Sequence, residues 1–402
     1  MKLTNKFTWI GILILSLMFI GCDQDLPDKL YDPDAATGDT PVLTSIVPDG
    51  KPLAGVGRLT VTGENFSSVP EENFLYFDGV EATILSASPT ELYVVAPDVV
   101  GDSVVVKAAV FRVELFSNEI IYQLIPAVSM AGDILEPGTE TNQGYALAVD
   151  VNDIVYVQTD PKKIKKIAPD GTTTDFATTT YVAATSMKFG PGGILYASAP
   201  AGRVRKIVQY DQAGNESIFT TFPSAPEDFD FDAAGDILAA VGADIYRVKP
   251  DKSKAVIGSF PGDVTTLRLF NGQLYALEKA NDTGAQKIWT ATVQESSLEN
   301  ITEIYDSASS GVLSGTTINA MLLTETGDMV FGTDYDENGM FQLTSDGTVT
   351  SVYPELLSPE ITALSWGNST SFYALRDVDG NTTVLRVDMD TVLGAPYAGR
   401  QQ

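Results

Sequence analysis

The side chains in this sequence that could do chemistry are almost all carboxylates. Asp334, Asp336 and Asn338 place oxygen ligands at positions 1, 3 and 5 of a segment whose sixth residue is Gly339, the order in which a short loop wraps a hard cation and then turns sharply. These three are the candidate ligands for calcium. Asp377-Val378-Asp379-Gly380-Asn381 is a weaker echo of the pattern. Histidine is absent from all 402 residues, which removes histidine-dependent triads, histidine-ligated zinc and the side chain best suited to proton shuttling at neutral pH. The only cysteine is Cys22, so no disulfide can form within the chain. Acids outnumber bases 53 to 25, a net charge of −28. Such a surface repels nucleic acid, whose phosphates need a basic footprint, and keeps the protein soluble.

The elements that must position these residues are short strands in a repeat. A turn, two apolar residues and an aromatic or small residue recur at Asp153–Tyr156, Gly193–Tyr196, Asp236–Ala239, Gly272–Tyr275, Asp328–Phe331 and Thr370–Tyr373, with spacings of 40, 43, 36, 56 and 42. Each core follows an apolar strand, such as Thr185–Phe189 or Ile361–Trp366. Each precedes an alternating strand, such as Ile164–Ile167, then a turn such as Pro169-Asp170-Gly171 and a Thr-rich fourth strand. Four strands at this period make one blade of a β-propeller, and six repeats close the ring. The segment 126–402 resembles the NHL-type and gluconolactonase-like six-bladed propellers. That resemblance implies a cation at the channel mouth held by Glu, Asn and Asp, with a carboxylate as base. The ligand face, where second-to-third and blade-to-blade loops meet, carries Asp160, Glu227, Asp228, Asp244, Asn281, Asp282, Asp334, Asp336, Asp377 and Asp379. None of these matches the gluconolactonase-like ligand set residue by residue. Asp334–Gly339 resembles the first half of an EF-hand loop, departing from it at position 12, where Ser345 replaces Glu.

Aromatic rings stack on sugars and extended peptides. Tyr156, Tyr196, Tyr275, Phe331 and Tyr373 share one repeated strand position and are expected to pack between blades. Tyr145, Tyr181, Tyr335 and Tyr353 lie in or beside the ligand-face loops and are the candidate binding platform.

Residues 1–21 carry Lys2 and Lys6, then an apolar run from Phe7 to Ile20 that is short for a membrane span. With Phe19-Ile20-Gly21-Cys22 the segment resembles a bacterial lipoprotein signal, implying cleavage before Cys22 and a lipid on its thiol. A thiol so used is lost to catalysis. Residues 22–40 are polar and read as a flexible tether; Asp23-Gln24-Asp25 resembles the export signal for the outer face of the outer membrane. Residues 41–124 show short strands, with Thr44–Pro48, Leu59–Phe66 and Phe77-Asp78-Gly79. They resemble the IPT/TIG family of immunoglobulin-like sandwiches, spacer or contact modules whose core here rests on apolar alternation alone.

The expected fold is therefore all-β: an N-terminal immunoglobulin-like (IPT/TIG) sandwich followed by a six-bladed β-propeller. The layout resembles the accessory surface lipoproteins of starch-utilisation-type nutrient importers. It implies a non-catalytic receptor that captures a glycan or peptide for a TonB-dependent outer-membrane transporter and its lipoprotein partner. The alternatives are a metal-dependent, gluconolactonase-like hydrolase and a protein–protein scaffold.

Overall fold

A computed structural model describes residues 38–400 except 137, 140–141, 201–204 and 280–284. The expected signal segment, most of the tether and Cys22 lie outside the described residues, as do Asn281 and Asp282. Among the described residues no helix is long and apolar enough to cross a membrane.

The N-terminal unit is a sandwich. One sheet orders Val42–Val47, Arg58–Glu64, Glu91–Val95 and Thr83–Ser88; the other orders Leu53–Ala54, Ile120–Pro126, Gly101–Val110, Asn73–Phe77 and Val80–Glu81. Alternation along the strands turns one face of each sheet inward. Leu59, Val61, Leu75, Phe77, Leu92, Val94, Val104 and Val106 are all buried in this core, each contributing roughly 1.5–3 kcal/mol by leaving water. Asp78 and Gly79 both take positive φ, 47° and 86°, so Asp-Gly makes the tight hairpin whose twist suits the flanking strands.

The remaining described residues form six four-stranded antiparallel sheets arranged as a propeller. The first, innermost strands are Gly144–Val149, Ser186–Gly190, Pro226–Phe231, Asp263–Phe270, Ile318–Leu323 and Ile361–Trp366. Each touches its neighbours, and the last touches the first, so the ring is closed. The repeated aromatics join consecutive blades: Tyr156 packs edge-on against Phe189 and Tyr196 against Phe231, with ring centroids 5.0 and 5.1 Å apart. Tyr373 of the sixth blade joins Val149, Val155 and Val157 of the first.

Two features of closure differ from a simple run of six repeats. The fourth strand of the last blade is Val128–Gly132, from the start of the propeller, paired with Asn381–Asp388. Ring closure thus uses backbone hydrogen bonds between its two ends. The chain after Asp388 then runs beneath the ring. Ala395 N donates to Leu323 O (2.9 Å) and the Tyr397 hydroxyl to Phe189 O (2.5 Å). Gly394 is needed there because a Cβ would sit 2.3 Å from Trp366.

Some of the acidic residues have a structural use. Asp150, Asp170, Asp211, Asp232, Asp251 and Asp346 each accept a backbone N–H two residues on, the bond by which Asp fixes a turn. These turns lie on the face opposite the ligand-face loops.

Candidate functional site

Five of the six first strands carry a β-bulge near their start, between Gly144 and Ala146, Pro226 and Asp228, Val264 and Thr266, Ile318 and Ala320, and Ile361 and Ala363. A bulge leaves one residue outside the ladder and re-aims its side chain. The residues so placed are Tyr145, Glu227, Thr265, Asn319 and Thr362; Thr185 stands at the same point of the second blade, which has no bulge. Thr185, Thr265, Asn319 and Thr362 line the channel mouth on the ligand face, and Tyr145 and Glu227 stand at the same strand position of the first and third blades.

The ring is polar. Thr185, Thr265 and Thr362 donate their hydroxyls to Pro226 O, Leu277 O and Leu375 O, leaving hydroxyl lone pairs to accept. Asn319 donates to Glu360 and Ile361 O, each at 3.2 Å. The Tyr145 hydroxyl lies 3.0 Å from Asp160 and 3.1 Å from Gln143; burial, then Asp160, push its pKa up to about 12. Glu227 is raised by burial first, then by Asp263 and Asp228.

Beneath the mouth a layer of charge crosses the channel. Asp228 accepts from Phe229 N, Leu267 N, Arg268 (2.5 Å) and Lys188 (3.4 Å). Asp230, one turn of the pleat deeper, accepts from Phe231 N and Leu269 N. Burial alone would raise both carboxyls. For Asp228 the adjacent Lys188 and Arg268, with bonds from Ser186 and Leu267 N, hold it below the usual range, whereas burial prevails at Asp230. Lys188 is lowered by burial and by Arg268. Two cations thus face two carboxylates, supplied by blades two, three and four.

This layer divides the channel. Above it lies a shallow cup of about 70 Å³, lined by Thr185, Ser186, Thr265, Thr266, Asn319 and Thr362. Below it the wall is apolar, and Ala395, Pro396 and Tyr397 supply the floor.

The sequence-derived candidates separate. Tyr145 joins the ring. Tyr181 is buried between the first two blades, its hydroxyl 2.9 Å from that of Tyr210. Tyr335 packs edge-on against Phe341 at 5.5 Å, and the Tyr353 hydroxyl donates to Asp388 O at 2.7 Å. The four rings do not form one platform: Tyr181, Tyr335 and Tyr353 anchor their loops. Of the expected calcium ligands, Asp334 accepts from Thr317 N at 2.7 Å and Asp336 is exposed, while Asn338 is buried and donates to Met340 O. The Asn338 side-chain oxygen is buried without a hydrogen-bond partner. Gly339 is required by packing, since a Cβ would meet Ile361 at 2.8 Å and Ser358 O at 3.0 Å. Among the described residues no group of three or more acidic side chains is poised to hold a metal ion. Sequence reading placed Asp228 on this face but missed Lys188 and Arg268, whose signal is a charge set within an apolar first strand, Met187-Lys188-Phe189 and Leu267-Arg268-Leu269.

The sandwich matches the IPT/TIG domain family over residues 41–121. Among curated proteins, no sequence matches this chain. Solved structures share the fold of most or part of this chain at low identity. A Bacteroides thetaiotaomicron auxiliary nutrient binding protein is 11% identical with a TM-score of 0.54, over 89% of this chain and 98% of that one. A protein of unknown function from the same organism is 14% identical with a TM-score of 0.53, over 89% and 99%. A luciferin-regenerating enzyme is 15% identical with a TM-score of 0.52, over 67% of this chain and 98% of its own. At such identities the likeness is one of fold.

Proposed function

We propose that this protein is a non-catalytic lipoprotein of the outer membrane, anchored through Cys22 and exposed at the cell surface. It captures a glycan or peptide on the channel mouth for a TonB-dependent transporter and its lipoprotein partner. The observation that carries this reading is the charge layer under the mouth. Lys188 and Arg268 both pair with Asp228 and lie close to Asp230, so a divalent cation entering there would meet two positive charges already in place. What remains above is a shallow cup of hydroxyls and one amide, with Tyr145 and Glu227 at the same strand position beside it. Such a cup can exchange hydrogen bonds with a hydroxyl- or amide-rich ligand and stack one ring on it. The name of one structural relative, an auxiliary nutrient binding protein, agrees with this use of the fold.

A hydrolase reading has one observation in its favour. Glu227 is a carboxyl at the mouth with a raised pKa, the property wanted in a general acid or base near neutral pH. Calorimetry of residues 23–402 against polysaccharides, oligosaccharides, peptides and sugar lactones, with and without EDTA, separates the two. A receptor binds one class saturably, unaffected by EDTA and without turnover. Metal-dependent consumption of a lactone would reverse the assignment.

A further inference from the structure

The sandwich carries an apolar surface that is largely open to solvent. The loop between Gly101–Val110 and Ile120–Pro126 holds Phe111, Leu115 and Phe116, which are 55%, 64% and 51% exposed. Two cations lie over these rings, Arg112 at 5.3 Å from the Phe111 centroid and Lys107 at 4.7 Å from that of Phe116. Tyr76 packs beside Phe116 at 6.1 Å, and Ile121, 60% exposed, extends the patch along the sheet. Isolated exposed apolar residues need no explanation, but a cluster on one loop does.

The position of this loop names its partner. Ile120–Pro126 leads from the loop directly to the propeller, and Gly55 at that far end packs against Leu356 of the connection between blades five and six. Seven residues of strand put the loop about 20 Å beyond the propeller end of the sandwich. At the loop end the chain enters: a Val113 methyl lies 3.2 Å from where a Cβ on Gly38 would sit. Fifteen residues lie between Cys22 and Gly38, a stretch that reaches at most about 55 Å. Charge at the loop is balanced, Lys107 and Arg112 against Glu114 and Glu119, in a chain whose net charge is −28.

We infer that Phe111, Leu115 and Phe116 form a membrane-contact loop that dips into the lipid surface beside the anchor. The inference rests on the lipid-anchor reading. Aromatic and leucine side chains enter the headgroup boundary, and the cations over the rings can meet lipid phosphates. The contact would hold the sandwich end-on, with the propeller outward.

The test uses the lipid-free mature chain, carrying Cys22→Ser, with phosphatidylcholine–phosphatidylethanolamine vesicles. The expected result is weak co-flotation of this protein and a blue shift of the added tryptophan in Phe116→Trp when vesicles are present. A Phe111→Ser/Leu115→Ser/Phe116→Ser variant with unchanged melting should lose partitioning about a hundredfold, as roughly half of each side chain's apolar surface leaves water on insertion. Equal partitioning of the triple variant, or no spectral shift in Phe116→Trp, overturns the proposal. So does a blue shift that needs no vesicles but tracks self-association in sedimentation, which would assign the patch to a second copy. Mass analysis of Cys22 in the native protein checks the anchor separately: unlipidated Cys22 fails that reading, whatever the vesicles show.

Discussion

Replacing Asp228 by Asn keeps the shape of the side chain at the centre of the axial layer and removes its charge. Lys188 and Arg268 would then share only Asp230, whose carboxyl is itself shifted upward. Removing one partner of a buried ion pair costs about 3–5 kcal/mol, because it strands charge in a poorly solvated place. With Asp230 still present, the lower end, about 3 kcal/mol, is expected. In a domain this large each kilocalorie moves the midpoint by about 2–4 °C, so thermal unfolding of the propeller, followed by near-ultraviolet circular dichroism, should fall by at least about 6 °C. The pH dependence has a definite sign. The Asp228 carboxyl is held below its ordinary value, so its contribution is full above the unfolded pKa of about 3.9 and is lost as pH falls through the lower folded value. The gap between wild type and Asp228→Asn should therefore narrow only in acid. A double variant with Lys188→Met should lose less than the sum of the single losses. A midpoint within about 1 °C of wild type at pH 7 would refute the assignment of this layer as a coupled structural unit.

Gly394→Ala should destabilise the propeller by about 1–3 kcal/mol by overpacking and red-shift Trp366 emission as the floor lifts; an unshifted spectrum with unchanged stability would show that the added methyl is accommodated without uncovering Trp366. Tyr181→Phe should cost about 1 kcal/mol in denaturant unfolding by removing a buried hydroxyl pair, yet leave ligand affinity unchanged. Tyr145→Ala should do the reverse, weakening binding in calorimetry with little change in stability.

The all-β fold was legible because its information is local and repeated. Strand periodicity, the Asp-Gly turns and the aromatics at 156, 196, 275, 331 and 373 each follow from neighbours in sequence, and blade-to-blade packing uses them all. Closure was less legible. Val128–Gly132 reads as an ordinary strand, and its partner Asn381–Asp388 lies some 250 residues away. The site followed the same division. Lys188, Asp228 and Arg268 sit on three blades, and only the ring brings them together. Loop tyrosines misled because an aromatic beside a loop finds a packing partner as readily as a ligand: Tyr181 found Tyr210 and Tyr335 found Phe341. The bulges that aim Tyr145, Glu227 and Asn319 at the mouth leave no mark in composition.

The central claim is that the bulge-positioned ring is a binding surface. Its most direct test is calorimetric titration of the tightest ligand from the panel into wild type and into Tyr145→Ala/Thr265→Ala/Thr362→Ala. The account predicts a loss of at least about tenfold in affinity, the equivalent of one good hydrogen bond, with melting within a few degrees of wild type. Unchanged affinity in that variant would place the ligand elsewhere and contradict the account.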